Sequence, residues 1–153
     1  MDKVFLFPGQ GSQYVGMGKI FYEKFDFAKK IYNQADEILE YKISEISFTD
    51  NNNVINNTLY TQPAIFTYSI VLDSYLKEKG YNPIAVAGHS LGEYSALVSS
   101  NIISFEDGLN IIKERSYKMS KIGNVEPGSI SPIFDISEHL SFIMFNPSSK
   151  LII

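Results

Sequence analysis

Gly88-His89-Ser90-Leu91-Gly92 is the segment of this chain best suited to do chemistry. It fits G-x-S-x-G, a pattern in which a serine rides on a sharp turn between a strand and a helix. The flanking glycines allow a turn tight enough to push Ser90 Oγ into the open. A helix beginning at Leu91 aims its free N–H groups and positive dipole end at the same point. An acyl carbon attacked by Oγ would place its oxyanion near the Leu91 N–H, where a preorganised donor contributes about 3–4 kcal/mol. The chemistry implied is nucleophilic acyl transfer. The plainer alternative is a strand-to-helix turn that holds a serine. His89 adjoins Ser90 in sequence, and neighbours on a sharp turn point different ways. It therefore reads as a pocket-lining or orienting residue rather than as the base.

The turn needs a strand before it and a helix after it, and the sequence supplies both. Ile84-Ala85-Val86-Ala87 is an apolar run ending in Gly88, and helical spacing resumes from Leu91 to Ser100. Val4-Phe5-Leu6-Phe7 is a second short apolar run, rich in β-formers and stopped by Pro8-Gly9, and reads as a buried strand. Asp26 is placed to cap a helix to about Leu39, with Phe27, Ile31, Ala35, Ile38 and Leu39 at helical spacing. The asparagines at 51–53 and 56–57 read as a surface loop. A long helix is expected from about Leu59 to Lys79, with Ile65, Ser69, Leu72 and Leu76 on one face. Pro63 sets its start and Gly80 its stop. Ser104 with Asp107 resembles a capping box, weakened by the short Asp, and opens a helix through Leu109, Ile112 and Met119. Strand–helix alternation favours an α/β fold on a parallel sheet.

After Gly123 the character changes. Pro127-Gly128 is a turn, and Ser129 to Ile136 is an edge or distorted strand because Pro132 cannot join a ladder. Leu151-Ile152-Ile153 ends the chain as an uncapped apolar stub, which suggests a truncated or altered reading frame.

Composition narrows the classes. The chain has 153 residues, a net charge of −4, 44% apolar and 20% charged residues, and no cysteine. That suits one soluble globular domain. It argues against nucleic acid as a partner, since phosphate neutralisation needs clustered Lys and Arg. Disulfides, thiolate metal sites and a cysteine nucleophile are excluded. No apolar run approaches a membrane span and no secretory leader precedes Val4, so a cytoplasmic setting is expected.

A second motif joins the first. Pro8-Gly9-Gln10-Gly11-Ser12-Gln13 follows the first strand but lacks the Lys-Ser/Thr of a P-loop and the G-x-G-x-x-G spacing. With Thr61-Gln62-Pro63-Ala64, and with Glu93-Tyr94-Ser95-Ala96-Leu97 extending the serine motif, the chain from residue 4 to about 131 resembles the acyltransferase family that includes malonyl-CoA:acyl carrier protein transacylases. Four landmarks in order, Arg115 being the fourth, make the resemblance specific.

The resemblance implies a large α/β subdomain interrupted by a ferredoxin-like one. Residues 1–127 would form the N-terminal part of the former, left incomplete, and 128–153 the start of the latter or a divergent tail. With its sheet incomplete, part of the core would lie open to water. It also implies a ping-pong transfer through a Ser90 acyl-enzyme, from a coenzyme A thioester to the phosphopantetheine thiol of acyl carrier protein. The coenzyme A thioester is then a substrate, and no metal or other cofactor is called for. The backbone N–H groups of Gln10 and Leu91 would form the oxyanion hole, Gln62 and His89 would line the pocket, and Arg115 would hold the malonyl carboxylate. Without the family, Arg115 would read as a solvated helix charge paired with Glu114.

The family's histidine base lies on a later part of the chain. The only histidine here besides His89 is His139, in a tail unlike the family's segment, and it reads as an exposed residue on a short helix. Two other readings stay open: an α/β-hydrolase such as a thioesterase, which needs a later acid and His, and a binding remnant without turnover. Polyketide-synthase acyltransferase domains share the motifs, although a chain starting directly at its first strand suits a free-standing enzyme. Acidic carrier proteins would dock on a basic surface, for which Lys113, Lys118 and Lys121 are candidates.

Overall fold

The computed structural model describes residues 2–125 and the strand segments 144–146 and 149–152. The expected strand at 129–136, the boundary near 127 and His139 lie outside the described residues. Among them no helix is long and apolar enough to cross a membrane.

The elements run β1 (Val4–Phe7), α1 (Lys19–Lys24), α2 (Asp26–Leu39), α3 (Ile43–Phe48), α4 (Thr58–Glu78), β2 (Ala85–Gly88), α5 (Leu91–Ser99), α6 (Phe105–Val125), β3 (Met144–Asn146) and β4 (Ser149–Ile152). The fold is mixed α/β. β1 and β2 pair in parallel with Phe7 opposite Gly88, and the His89 N–H carries the ladder on to Phe7 O at 3.1 Å. That parallel pair is the one expected of residues 1–127; from the 128–153 segment β3 joins β2, and β4 joins β3, in antiparallel fashion.

β1 departs from the expected buried strand. Phe7 is buried, but Val4 is 49% and Leu6 72% exposed. Successive side chains of a strand face opposite sides, and only the side of Phe5 and Phe7 packs on Val86, Ala96 and Leu97. β2, by contrast, is buried throughout. The expected face of α4, Ile65, Ser69, Leu72 and Leu76, lies across from β1 along a groove of about 280 Å³.

The main core gathers Ile65, Phe66 and Ile70 of α4 with Leu39, Ile43, Leu91, Leu109 and Ile112. α4 begins at Thr58, ahead of Pro63, so proline does not mark the start. Asn57 caps it by accepting from the Leu59 N–H at 3.0 Å. Pro63 has no N–H for the Leu59 carbonyl one turn back, and the Tyr41 hydroxyl donates to that carbonyl at 3.5 Å instead. The helix stops at Gly80 as expected, where φ is 81°.

Asp26 is the first residue of α2 rather than its cap, which is Phe25. The residues of α2 that bury most deeply are Ala28, Tyr32, Ala35, Asp36 and Leu39. Asp36 is tolerated there because its carboxylate accepts from the Ser44 N–H at 3.0 Å and the Ser44 hydroxyl at 2.7 Å. Before α6, Ser104 Oγ accepts from the Asp107 N–H at 3.0 Å and donates to Asp107 Oδ2 at 2.7 Å. The short Asp meets the capping hydroxyl itself, where a longer Glu reaches the backbone N–H.

Candidate active site

The turn between β2 and α5 is built as the G-x-S-x-G pattern requires. A Cβ on Gly88 would be driven into the Gly92 backbone, and one on Gly92 into the Phe7 carbonyl. Both glycines are needed because β1, β2 and the start of α5 touch through bare backbone. Ser90, pinched between them, adopts φ 53° and ψ −103°. A non-glycine residue held there costs about 1–3 kcal/mol. Neighbouring contacts hold it: the Ser90 N–H donates to Glu93 Oε1 at 3.2 Å, the Gly92 N–H donates to His89 O at 2.9 Å, and the Leu91 side chain is fully buried. Ser90 itself is exposed, and the Leu91 N–H stands at the first helical position, where no intrahelical acceptor exists.

The second glycine loop packs against this turn. A Cβ on Gly9 would come within 2.8 Å of His89 Nδ1, so the imidazole lies over that loop. Among the described residues no hydrogen bond joins His89 to Ser90 Oγ, in keeping with its placement beside the turn. Within the loop, the Gly11 N–H donates to Gln13 Oε1 at 2.9 Å and the Ser12 hydroxyl to Gly9 O at 2.9 Å. Gln13 Nε2 then ties the loop to Asn56 Oδ1 at 2.9 Å.

Four of the expected site residues fall into one hydrogen-bonded chain. Arg115 on α6 donates from Nη2 to Ser90 Oγ at 3.0 Å and from Nη1 to Gln62 Oε1 at 2.6 Å. Gln62 is fully buried in α4, and its Nε2 donates to Gln10 Oε1 at 3.4 Å and to Met119 Sδ at 3.3 Å. Gln10 Nε2 in turn donates to Thr58 Oγ1 at 3.1 Å. The guanidinium carbon sits 5.8 Å from the centre of the Tyr94 ring, where the cation is favoured by the π face. Glu114, the alternative partner expected for Arg115, pairs with Lys118 at 3.7 Å.

Thr58, Tyr94 and Met119 were given no site role by the sequence, although Tyr94 lies in the serine motif and Met119 on the expected helix. Tyr94 and Met119 each sit one helical turn beyond Ser90 and Arg115, a spacing that shares a face. Thr58 carried no such signal. The three lysines differ in what they can offer. Lys113 donates to Ile38 O at 2.9 Å and approaches Glu40 at 3.6 Å, so its ammonium ties α6 to the end of α2. Lys121 lies over the Tyr117 ring at 4.4 Å and remains exposed, as does Lys118.

An exposed strained serine, a guanidinium on its Oγ and a glycine loop beside it can hold an anionic acyl group against a nucleophile. The family model described as "Acyl transferase domain" matches residues 4–133. The chain belongs to the acyl transferase domain family.

This acyl transferase domain is 42% identical over 134 residues to the malonyl CoA-acyl carrier protein transacylase of Bacillus subtilis strain 168, covering 87% of the chain and 42% of that relative. It superposes on the crystal structure of the malonyl CoA-acyl carrier protein transacylase from Clostridium perfringens with a TM-score of 0.74 and 41% identity, covering 78% of this chain and 38% of that one. A malonyl-transacylase solved in complex with its type II PKS acyl-carrier protein gives a TM-score of 0.74 at 33% identity, over 79% of this chain and 40% of that one. The acyl transferase domain thus spans about two fifths of the length of the relatives it matches.

Proposed function

We propose that this chain carries the covalent half-site of a malonyl-CoA:acyl carrier protein transacylase. Ser90 Oγ attacks the malonyl thioester carbon, the C–S bond breaks, and coenzyme A leaves as the thiol. The Oγ proton passes to a base. The resulting ester is then attacked by the phosphopantetheine thiol of acyl carrier protein, which returns Ser90 to its hydroxyl. The Gln10 and Leu91 N–H groups stabilise the oxyanion in both steps. The proposed setting is fatty acid synthesis in the cytoplasm.

One observation carries this reading: the Arg115 guanidinium lies 3.0 Å from Ser90 Oγ. A cation fixed at that distance meets the free carboxylate of a malonyl group whose carbonyl reaches the serine. A planar fork matches a carboxylate as a lysine does not. Gln62, buried behind it, gives the guanidinium a fixed second anchor. Lys118 and Lys121, both exposed and Lys118 held only by its surface pair with Glu114, are the proposed contacts for an acidic carrier protein, while Lys113 is tied to the Ile38 carbonyl. Reversing both charges is expected to weaken carrier-protein binding, and an unchanged affinity would discard that surface.

Intact mass after brief incubation with malonyl-CoA, with Ser90→Ala as control, tests the proposal. A malonyl adduct absent from the control supports it. A folded chain that gains no adduct supports the second reading, a domain that binds acyl-CoA without turnover. That reading draws on the absence, among the described residues, of any base hydrogen-bonded to Ser90 Oγ. Release of free malonate without carrier protein would restore the hydrolase reading.

A further inference from the structure

The loop of residues 9–13 carries one of the proposed oxyanion donors, and two of its five residues are glycine. Glycine has more backbone freedom to lose than any other residue. A donor helps an oxyanion only if it is already in place when the charge develops. Two glutamine side chains reach from this loop to the start of α4. Gln10 Nε2 donates to Thr58 Oγ1 at 3.1 Å, and Gln13 Nε2 donates to Asn56 Oδ1 at 2.9 Å. Asn57, the cap of α4, stands between the two acceptors. That platform is itself held. Asp50 accepts from the Val54 and Ile55 N–H groups at 2.8 and 3.1 Å, and the buried Thr61 hydroxyl donates to Ile55 O at 2.6 Å. The asparagine run that reads as a surface loop is thus the fixed side of the contact. Gln13 also settles which N–H of the loop stays open. Its Oε1 accepts from the Gly11 N–H at 2.9 Å, while the Gln10 N–H has no acceptor among the described residues.

We propose that Asn56 and Thr58 are positioning residues, a two-point clamp that holds the Gln10 N–H where the oxyanion forms. This rests on the reading of Gln10 as an oxyanion donor and adds the residues that fix it. The four side chains of the clamp are exposed or partly so. Bonds of that kind exchange with water and add little to overall stability. Their effect falls on the order of the loop instead. One contact alone would leave the loop free to turn about it, and the second removes that freedom. The oxyanion exists only once the thioester has been attacked. Loosening its donor therefore slows acyl transfer without weakening the binding of the substrate.

Thr58→Val keeps the shape of the side chain and removes the acceptor, while Thr58→Ser keeps the acceptor. Asn56→Leu and Asn56→Asp make the same pair at the second point. Two measurements on the whole chain test the clamp: malonyl labelling of Ser90 by intact mass over a range of malonyl-CoA concentrations, and hydrogen exchange of the backbone amides of residues 9–13. Thr58→Val and Asn56→Leu are each expected to lower the labelling rate at saturation about ten-fold, with the half-saturating concentration unchanged. Exchange in the loop should quicken about ten-fold, while exchange in α4 and β2 and the urea midpoint hold. Thr58→Ser and Asn56→Asp should restore both. Unchanged loop exchange would overturn the clamp, as would a conservative variant as slow as its partner. A rate loss matched by an equal rise in half-saturating concentration would overturn it too. Quicker exchange with a full labelling rate would overturn its part in placing the donor. An unaltered chain that takes no label would remove the acyl-enzyme reading and this proposal with it, an outcome recognised before any variant is compared.

Discussion

Arg115 on α6 and Ser90 at the cap of α5, 25 positions apart, meet at 3.0 Å through Nη2 and Oγ where the two helices pack side by side. The guanidinium spans from Ser90 to Gln62, a reach that a lysine ammonium on its flexible stem does not reproduce. Arg115→Lys is therefore expected to slow malonyl labelling of Ser90 by about 100-fold, close to 3 kcal/mol. The measurement is labelling rate by intact mass over a range of malonyl-CoA concentrations. A loss under about three-fold would remove Arg115 from the site.

The two glycines of the turn are expected to be far less replaceable than a glycine in the loop beside it. Gly88→Ala drives a methyl into the Gly92 backbone, whereas the space around Gly11 is open and only its φ of 110° is unfavourable. Overpacking against rigid backbone should cost about 3 kcal/mol or more, and the backbone conformation at Gly11 about 1–2 kcal/mol. Urea unfolding of the two variants gives the comparison. Equal midpoints would show that the strand–helix crossing is looser than the geometry states.

A buried clamp holds α4 to the end of α5. Lys77 Nζ donates to Asp73 Oδ2 at 2.7 Å and to Ser99 O at 2.6 Å, and the Ser99 hydroxyl donates to Asp73 Oδ1 at 2.7 Å. The Lys77 side chain is 32% exposed and that of Asp73 only 6%. Losing the carboxylate leaves a lysine that can turn to water, at a cost of about 2 kcal/mol. Losing the lysine leaves a carboxylate that cannot, at about 3 kcal/mol. Lys77→Met should therefore destabilise more than Asp73→Ala in denaturant unfolding, and the reverse order would contradict the burial of Asp73.

Burial pushes the phenols of Tyr32, Tyr41 and Tyr68 well above their ordinary range, with nearby tyrosines adding to the effect. The folded chain keeps these protons while the unfolded chain releases them near pH 10. Their contribution is thus whole below about pH 10 and falls as pH rises beyond it, by up to about 1.4 kcal/mol per pH unit for each phenol. Tyr32, whose hydroxyl donates to Met17 O at 3.3 Å, is fully buried. Tyr32→Phe should lower stability at neutral pH by about 1 kcal/mol and flatten the alkaline decline. Urea midpoints at neutral and alkaline pH, read beside phenolate absorbance, decide it. An unchanged alkaline slope in the variant would exclude Tyr32 from the effect.

The turn at Ser90 was legible because its requirements are local: an apolar run, two glycines and a helical pattern, all within a few residues. The stop of α4 at Gly80 and the start of α6 behind Ser104 were legible for the same reason, although Pro63 misled about the start of α4, since its missing hydrogen bond is made good by Tyr41 from a distant part of the chain. Tertiary relations were not legible. Nothing in the pattern of β1 tells which side of it is covered, and Val4 and Leu6 look as apolar as Phe5 and Phe7. Arg115 was placed by resemblance alone. Its anchoring through Gln62, Gln10 and Thr58 joins residues about fifty positions apart, where no periodicity reaches. The Asp73–Lys77–Ser99 clamp was hidden likewise: an i,i+4 pair is commonly a solvated surface feature, and only burial makes it more.

The chain of bonds from Arg115 through Gln62 and Gln10 to Thr58 runs in one direction, each group giving its hydrogens to the next. An amide has a donor end and an acceptor end, so turning Gln62 round sets donor against donor at Arg115 and acceptor against acceptor at Gln10. The arrangement behaves like a row of arrows, and its sense is dictated at one end by a residue that can only give. A substitution at Gln62 therefore reaches past its own contacts, because it leaves both Arg115 above it and Gln10 below it without the partner end each requires.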